Sequence, residues 1–134
     1  LVVRRARTLG GRLLLENSHE PCPEVLRPVL EAHAGELGFC FDVAHARVFS
    51  RTPDPGPWLA LGPEHLHLND TDGVYDRHWN LGRGVLGHRE WLLPFLGRTL
   101  VLEVREDPEA SLAFLQALAG EGRTAFDRLL MEGR

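Results

Sequence analysis

The sequence predicts an α/β domain with parallel strands whose sheet curves toward a barrel, and two observations carry that prediction. Four short apolar segments, Arg12-Leu-Leu-Leu-Glu16, Gly38-Phe-Cys-Phe-Asp42, Glu64-His-Leu-His-Leu-Asn69 and Thr99-Leu-Val-Leu-Glu103, recur with helix-sized stretches between them. Their polar markers Glu16, Asp42, His67 and Glu103 stand 26, 25 and 36 residues apart. Units of that size suit a strand, a crossover helix and two loops, which makes the strands parallel and their crossovers right-handed. The second observation is period two. With the four markers on one face, the opposite face receives Leu13, Leu15, Phe39, Phe41, Leu66, Leu68, Leu100 and Leu102. A face made entirely of Leu and Phe is one packed under helices. A face that ends each strand in an ionisable group is a barrel interior opening into a site.

The expected strands span about 12–17, 38–43, 64–69 and 98–104. Cys22 to His33 is expected to be helical with Pro28 setting or breaking it, and Arg89 to Leu96 forms a short helix strained by Pro94. Asp107-Pro108-Glu109 reads as an N-cap with Pro at the first helical position, Gly120 as that helix's end, and Thr124 to Met131 as a short final helix. Pro53 to Pro57 reads as a loop within one domain covering residues 1–134. Arg4, Arg5 and Arg7 lie at the end of an opening helix. A chain that starts inside a helix without Met reads as a piece of a longer protein.

Composition narrows the chemistry. The 134 residues are 43% hydrophobic and 25% charged, as in a globular domain with a real core. A net charge of −4 gives no electrostatic invitation to nucleic acid, and the apolar runs are far too short to cross a membrane. All 15 basic residues are Arg. Without Lys, this chain offers neither Schiff-base chemistry nor a phosphate-loop lysine. Cys22 and Cys40 have no metal-type spacing and form no disulfide framework, so they are expected as reduced thiols in the cytoplasm.

Three carboxylates and one imidazole at neighbouring strand ends converge if the sheet curves. Buried like charges repel, and a cation satisfies them. An oxygen-rich set with one nitrogen suits Mn²⁺, Mg²⁺, Co²⁺ or Zn²⁺. A lone Glu after a strand is usually a cap or a surface group, but four in register make coincidence a poor account. His45, Asp76 and His78 lie near enough in sequence to be additional ligands, groups that orient ligands, or substrate contacts. Gly82-Arg83-Gly84 allows tight turns beside them. His65 is expected one layer deeper as packing, and His19, His33 and His88 have no evident partner.

These motifs together resemble the sugar phosphate isomerase/epimerase group of the xylose isomerase-like barrels. The matching pieces are Leu-Leu-Leu-Glu16-Asn17, Phe-Asp42-Val-Ala-His45-Ala, His65-Leu-His67-Leu-Asn69-Asp70, Asp76-Arg-His78 with Leu81-Gly82-Arg83-Gly84, and Val101-Leu102-Glu103, across residues 10–119. The resemblance implies the C-terminal half, strands five to eight, of a (β/α)8 TIM barrel. It implies Glu16, Asp42, His67 and Glu103 as metal ligands, with Glu16 and Glu103 also acting as the catalytic acid and base. A small carbohydrate-like substrate would pass through an enediolate, and His45 would help hold it. The missing N-terminal half-barrel, or a second copy of the chain, would close the barrel. True xylose isomerases carry a lysine near the fifth-strand ligand, which this chain lacks.

Two rivals follow from the same residues. The apurinic-site endonucleases, zinc phosphodiesterases of this fold, share Glu16, Asp42, His45, His67, Asp76, His78 and Glu103. The Ser-His-Glu-Pro after Asn17, the Thr71-Asp72 after Asp70, a short His67-to-Asp76 interval and the acidic balance depart from them. A half-barrel that is inactive, or active only with a partner, is the other.

Overall fold

The computed structural model describes residues 2–132, with side chains described for residues 5–124. Helix α1 (Val2–Thr8) leads into strand β1 (Leu13–Glu16). A 3-10 turn (Pro23–Val25) and α2 (Arg27–Ala32) connect to β2 (Leu37–Asp42), followed directly by α3 (Val43–Phe49) and α4 (Pro55–Leu59). Then come β3 (His65–Leu68), a long loop, α5 (His88–Trp91), a 3-10 turn (Leu93–Phe95), β4 (Thr99–Leu102) and α6 (Glu109–Glu132). The four strands form one sheet in the order β1-β2-β3-β4, and every neighbouring pair is parallel. The α/β class, the strand order and the parallel pairing agree with the sequence expectation.

The two faces separate as the alternation requires. Phe39, Phe41, Leu66 and Leu68 are buried on the helix side, where they pack with Leu26, Ala44, Ala46, Trp58, Leu92 and Leu118 from the surrounding helices and turns. Leu15, Leu100 and Leu102 sit at the margin of this core. Complete removal of such side chains from water contributes about 1.5–3 kcal/mol each. On the other face Gly38, Cys40 and Asp42 are buried, all in β2, and Val101 is exposed. At the N-terminal end of the sheet, Arg12 bridges to Glu64 and donates to the Gly35 carbonyl. Gly38 lies beneath that bridge, and a Cβ there would overlap the Glu64 carboxylate and Leu14.

Several helix expectations need correction. Gly120 does not end a helix: α6 runs from Glu109 to Glu132, so the expected separate final helix is its continuation. A mid-helix glycine costs only about 1 kcal/mol, and Leu118, buried just before it, anchors the helix to the core. The Pro53–Pro57 stretch is not all loop. Asp54 accepts from the Gly56 N–H as an N-cap and α4 starts at Pro55, the position where proline gives up no hydrogen bond. The Cys22–His33 and Arg89–Leu96 stretches each divide into a short helix and a 3-10 turn, with a proline in the first turn of each piece that contains one.

Candidate metal centre

Glu16 and Asp42 close β1 and β2, His67 lies in β3, and Glu103 follows β4 by one residue. The ladder continues past the last strand, because the Glu103 N–H donates to the Leu68 carbonyl. That shared register brings one ligand atom from each of Glu16, Asp42, His67 and Glu103 within 4.8 Å of all the others. His67 Nδ1 lies 3.0 Å from Glu103 Oε1 and 3.3 Å from Glu16 Oε1. It is nevertheless buried without a hydrogen bond, since neither oxygen lies where its N–H would point. Lone pairs gathered round a common point without satisfying one another fit a cation better than an ion-pair network.

Asp42 is electrostatically perturbed by its burial. Burial pushes its carboxyl up to about 6, with Glu103 and Asp76 adding in the same direction and His45 opposing. One oxygen caps α3 by accepting the His45 N–H at 2.9 Å, and the other lies 3.4 Å from Asn69 Nδ2. Beneath it, burial and the charges of Glu16, Asp42 and Glu103 raise the Cys40 thiol to about 12, so it sits in the centre as a neutral group.

The structure also gathers His45, Asp76 and His78. Asp76 Oδ2 is 2.9 Å from His78 Nε2 and 3.6 Å from His45 Nε2, while Asp76 Oδ1 is buried without a partner. Each imidazole turns its Nδ1 to a backbone carbonyl: His45 to Asn17 at 2.9 Å and His78 to Glu103 at 2.6 Å. In the neutral ring, Nδ1–H therefore donates to the carbonyl and leaves the Nε2 lone pair facing Asp76. Burial disfavours charge on His45, but Asp42, the Asn17 carbonyl, Asp76 and Glu16 outweigh it and raise its pKa. His45 Nδ1 lies 3.5 Å from Glu16 Oε1, so the trio adjoins the strand-borne set.

The loop carrying Asp76 and His78 is fixed by its own side chains. Asp70 accepts N–H groups from Thr71, Gly82 and Leu86. Asp72 accepts from Val74 and Tyr75 and pairs with Arg77 at 2.8 Å, which holds its carboxyl down at about 2. His78 takes a left-handed backbone, φ 53°, and its carbonyl accepts from the Arg105 N–H. Arg77 stacks over Tyr75 and Trp79, and Arg83 over Trp79.

His65 lies one register step below His67, outside the cluster. His88 corrects the expectation that it has no partner. It is buried between Trp91 and Phe114, 3.7 Å from Asp70 Oδ2, and burial lowers its pKa. His19 stacks on Phe49 at 4.4 Å, and His33 faces Glu36 at 4.0 Å. Asn17, Asn69 and Asp70, all buried, adjoin the candidate site and were not singled out individually from the sequence, although each stands within three residues of a strand-end donor.

No protein-family model matches the chain, and no curated protein matches it. Two solved structures do. The TTHB071 protein from Thermus thermophilus, soaked with ZnCl2, is 91% identical with a TM-score of 0.89, over 90% of this chain and 49% of that one. A putative xylose isomerase from Rhodospirillum rubrum is 19% identical with a TM-score of 0.67, over 89% of this chain and 50% of that one. The fold is therefore like that of a xylose isomerase-like protein. The chain spans about half the length of the solved chains it matches. Among the described residues, no helix is long and apolar enough to cross a membrane.

Proposed function

We propose that residues 1–134 form the C-terminal half, strands five to eight, of a (β/α)8 TIM barrel. On this reading they carry most of the active site of a divalent-metal-dependent isomerase or epimerase acting on a small polyhydroxy carbonyl compound, a sugar or sugar phosphate. The observation that carries the proposal is the convergence of Glu16, Asp42, His67 and Glu103 donors within 4.8 Å. The half-barrel reading rests on the parallel four-strand sheet and on the twofold longer chains that share its fold. An N-terminal half-barrel, or a second copy of the chain, would cover the two sheet edges. A cytoplasmic location goes with the two free thiols.

Glu16, Asp42, His67 and Glu103 would hold Mn²⁺, Mg²⁺, Co²⁺ or Zn²⁺, and the ZnCl2-soaked relative makes zinc the first to try. A cation held there would supply Lewis-acid polarisation of the substrate. The chain supplies the proton chemistry. Glu16 and Glu103 come from the two outer strands and meet across His67, so one can remove the proton next to the carbonyl while the other returns it. His45, held by the Asn17 carbonyl, orients the substrate hydroxyl from the side. Exchange of the substrate α-proton with deuterated solvent, followed by NMR over a ketose panel with the complete protein reconstituted first with Zn²⁺ and then with Mn²⁺, tests the assignment. Glu16→Gln and Glu103→Gln should each slow exchange about 10²-fold or more. Undiminished exchange in both variants refutes their roles.

One observation favours a second reading. His45, Asp76 and His78 present a further donor set beside the first, as a multinuclear phosphodiesterase of the abasic-site endonuclease kind requires. The nearby cations argue against it, because Arg77 is already paired with Asp72 and Arg83 with Glu106, which leaves less unneutralised positive charge for a phosphate backbone. Cleavage of abasic-site DNA without proton exchange on any sugar would move the assignment there.

A further inference from the structure

We propose that Asn17 is the positioning residue of this centre, a side-chain amide that sets the geometry of both donor sets at once; the proposal rests on the metal-centre reading above. The parallel ladder between β1 and β2 ends at the Glu16–Cys40 rung. One residue later the Asn17 side chain takes over. Its Nδ2 donates to the Asp42 carbonyl at 2.8 Å, and its Oδ1 accepts the Asp42 N–H at 2.8 Å. The amide thus stands in for a peptide group of β1 and makes both bonds that a neighbouring strand would make to Asp42. Because the side chain does this work, the Asn17 main chain is free to turn away, and its carbonyl accepts His45 Nδ1.

Three groups depend on this one residue. Glu16 precedes it in the chain, Asp42 is gripped on both sides of its Cα, and His45 has its ring tautomer set by the carbonyl. Asn17 is 1% exposed, so solvent does not compete for these bonds. No other side chain fits as well. Asp offers no donor to the Asp42 carbonyl and adds a negative charge beside Glu16 and Asp42, while Gln is a methylene too long for the gap. Partners that orient ligands in this way typically govern metal affinity by 10–100-fold.

The test uses the complete protein with Asn17→Ala and Asn17→Asp, and Leu118→Ala as a core-destabilised control remote from the centre. Co²⁺ is titrated and followed by its visible absorption. The His45 ring is followed separately in metal-free protein by ¹⁵N NMR at constant alkaline pH. Asn17→Ala should weaken Co²⁺ about 10–100-fold, change the absorption envelope, and convert His45 from one Nδ1–H tautomer to a mixture. Leu118→Ala should leave all three readouts at wild-type values despite a lowered Tm. If Asn17→Ala loses Tm but keeps the Co²⁺ affinity, the spectrum and the His45 tautomer, Asn17 is only a sheet-end staple and the proposal falls. If the alanine variant does not fold, Asn17→Asp, which keeps an acceptor for the Asp42 N–H and loses the donor to its carbonyl, carries the same readouts with the same expected direction. A wild-type protein that takes up no Co²⁺ refutes the metal centre, and the metal-free tautomer comparison then decides the Asn17 assignment by itself.

Discussion

The two donor sets of this centre are positioned by different means. Glu16, Asp42, His67 and Glu103 are carried at or just past strand ends, and the ladder that registers Glu16 with Cys40, Asp42 with His67 and His67 with Val101 sets their spacing, extended at Asp42 by the Asn17 amide and at Glu103 by its N–H bond to Leu68. Asp76 and His78 sit on a loop of some twenty residues between β3 and α5, which no ladder registers. That loop is built instead from charge-assisted bonds, Asp70 to three backbone N–H groups and Asp72 to two more and to Arg77, together with one backbone bridge between Asp70 and Trp79. A strand lends its geometry to any residue at its end, whereas a loop must specify its geometry residue by residue.

The largest effect should come from the closest crossing in that loop. A Cβ at Gly84 would overlap the Thr71 carbonyl oxygen and Asp70 Oδ1. Gly84→Ala should cost about 3 kcal/mol or more, measured by urea unfolding, and should displace Asp76 and His78. Co²⁺ titration of the refolded variant should still report the strand-borne site. Loss of both sites together would break the division drawn here.

Asp70→Asn is next. It keeps the shape and removes the charge that three N–H groups share. Hydrogen bonds to a charged group are the stronger kind, so a loss of about 2 kcal/mol is expected. Hydrogen exchange should quicken at Gly82 and Leu86 and remain slow in β2 and β3. Uniform quickening would mean the loop and the sheet open as one unit.

Arg77→Ala probes the exposed stack over Tyr75 and Trp79. An exposed pair contributes little, and the Tm should move by no more than about 2 °C. A larger drop would show that the stack, and not the buried carboxylates, holds the loop.

The gentlest probe is pH acting through His88. Burial disfavours its imidazolium, so the native pKa lies below the ordinary value of 6.5. Above pH 6.5 the ring is neutral in both folded and unfolded chains and its contribution is complete. As pH falls below 6.5 the unfolded chain binds the proton first, and stability is lost on the acid side. Melting curves of wild type and His88→Gln between pH 7.5 and 5 should converge on acidification. Parallel curves would remove His88 from the account of the loop's base.

What could be read from the sequence follows the same division. Period two put Leu13, Phe39, Leu66 and Leu100 on one face and Glu16, Asp42 and His67 on the other, because strand alternation is a local property. The donor set followed once the strands were parallel and in order. The Asn17 amide could not be read this way, since its partner is 25 residues away and its function is to imitate backbone. His88 was equally hidden, because burial between Trp91 and Phe114 depends on how α5 meets α6. Gly120 misled because a glycine ends a helix only when no tertiary contact carries it onward, and Leu118 is packed in the core just before it.

The left-handed backbone at His78 has a consequence for how the sequence can drift. At φ 53° most side chains are strained, and glycine or asparagine would be the easy occupants. Yet glycine discards the ring whose nitrogens reach both the Glu103 carbonyl and Asp76, and asparagine is too short to span the two. Backbone and chemistry therefore veto each other's preferred replacements, and position 78 is left with almost no neutral neighbours in sequence space. Variation there should be rarer than at Asp76, where the constraint is chemical only. A library randomised at both positions and selected for metal retention would measure that difference as a ratio of surviving variants.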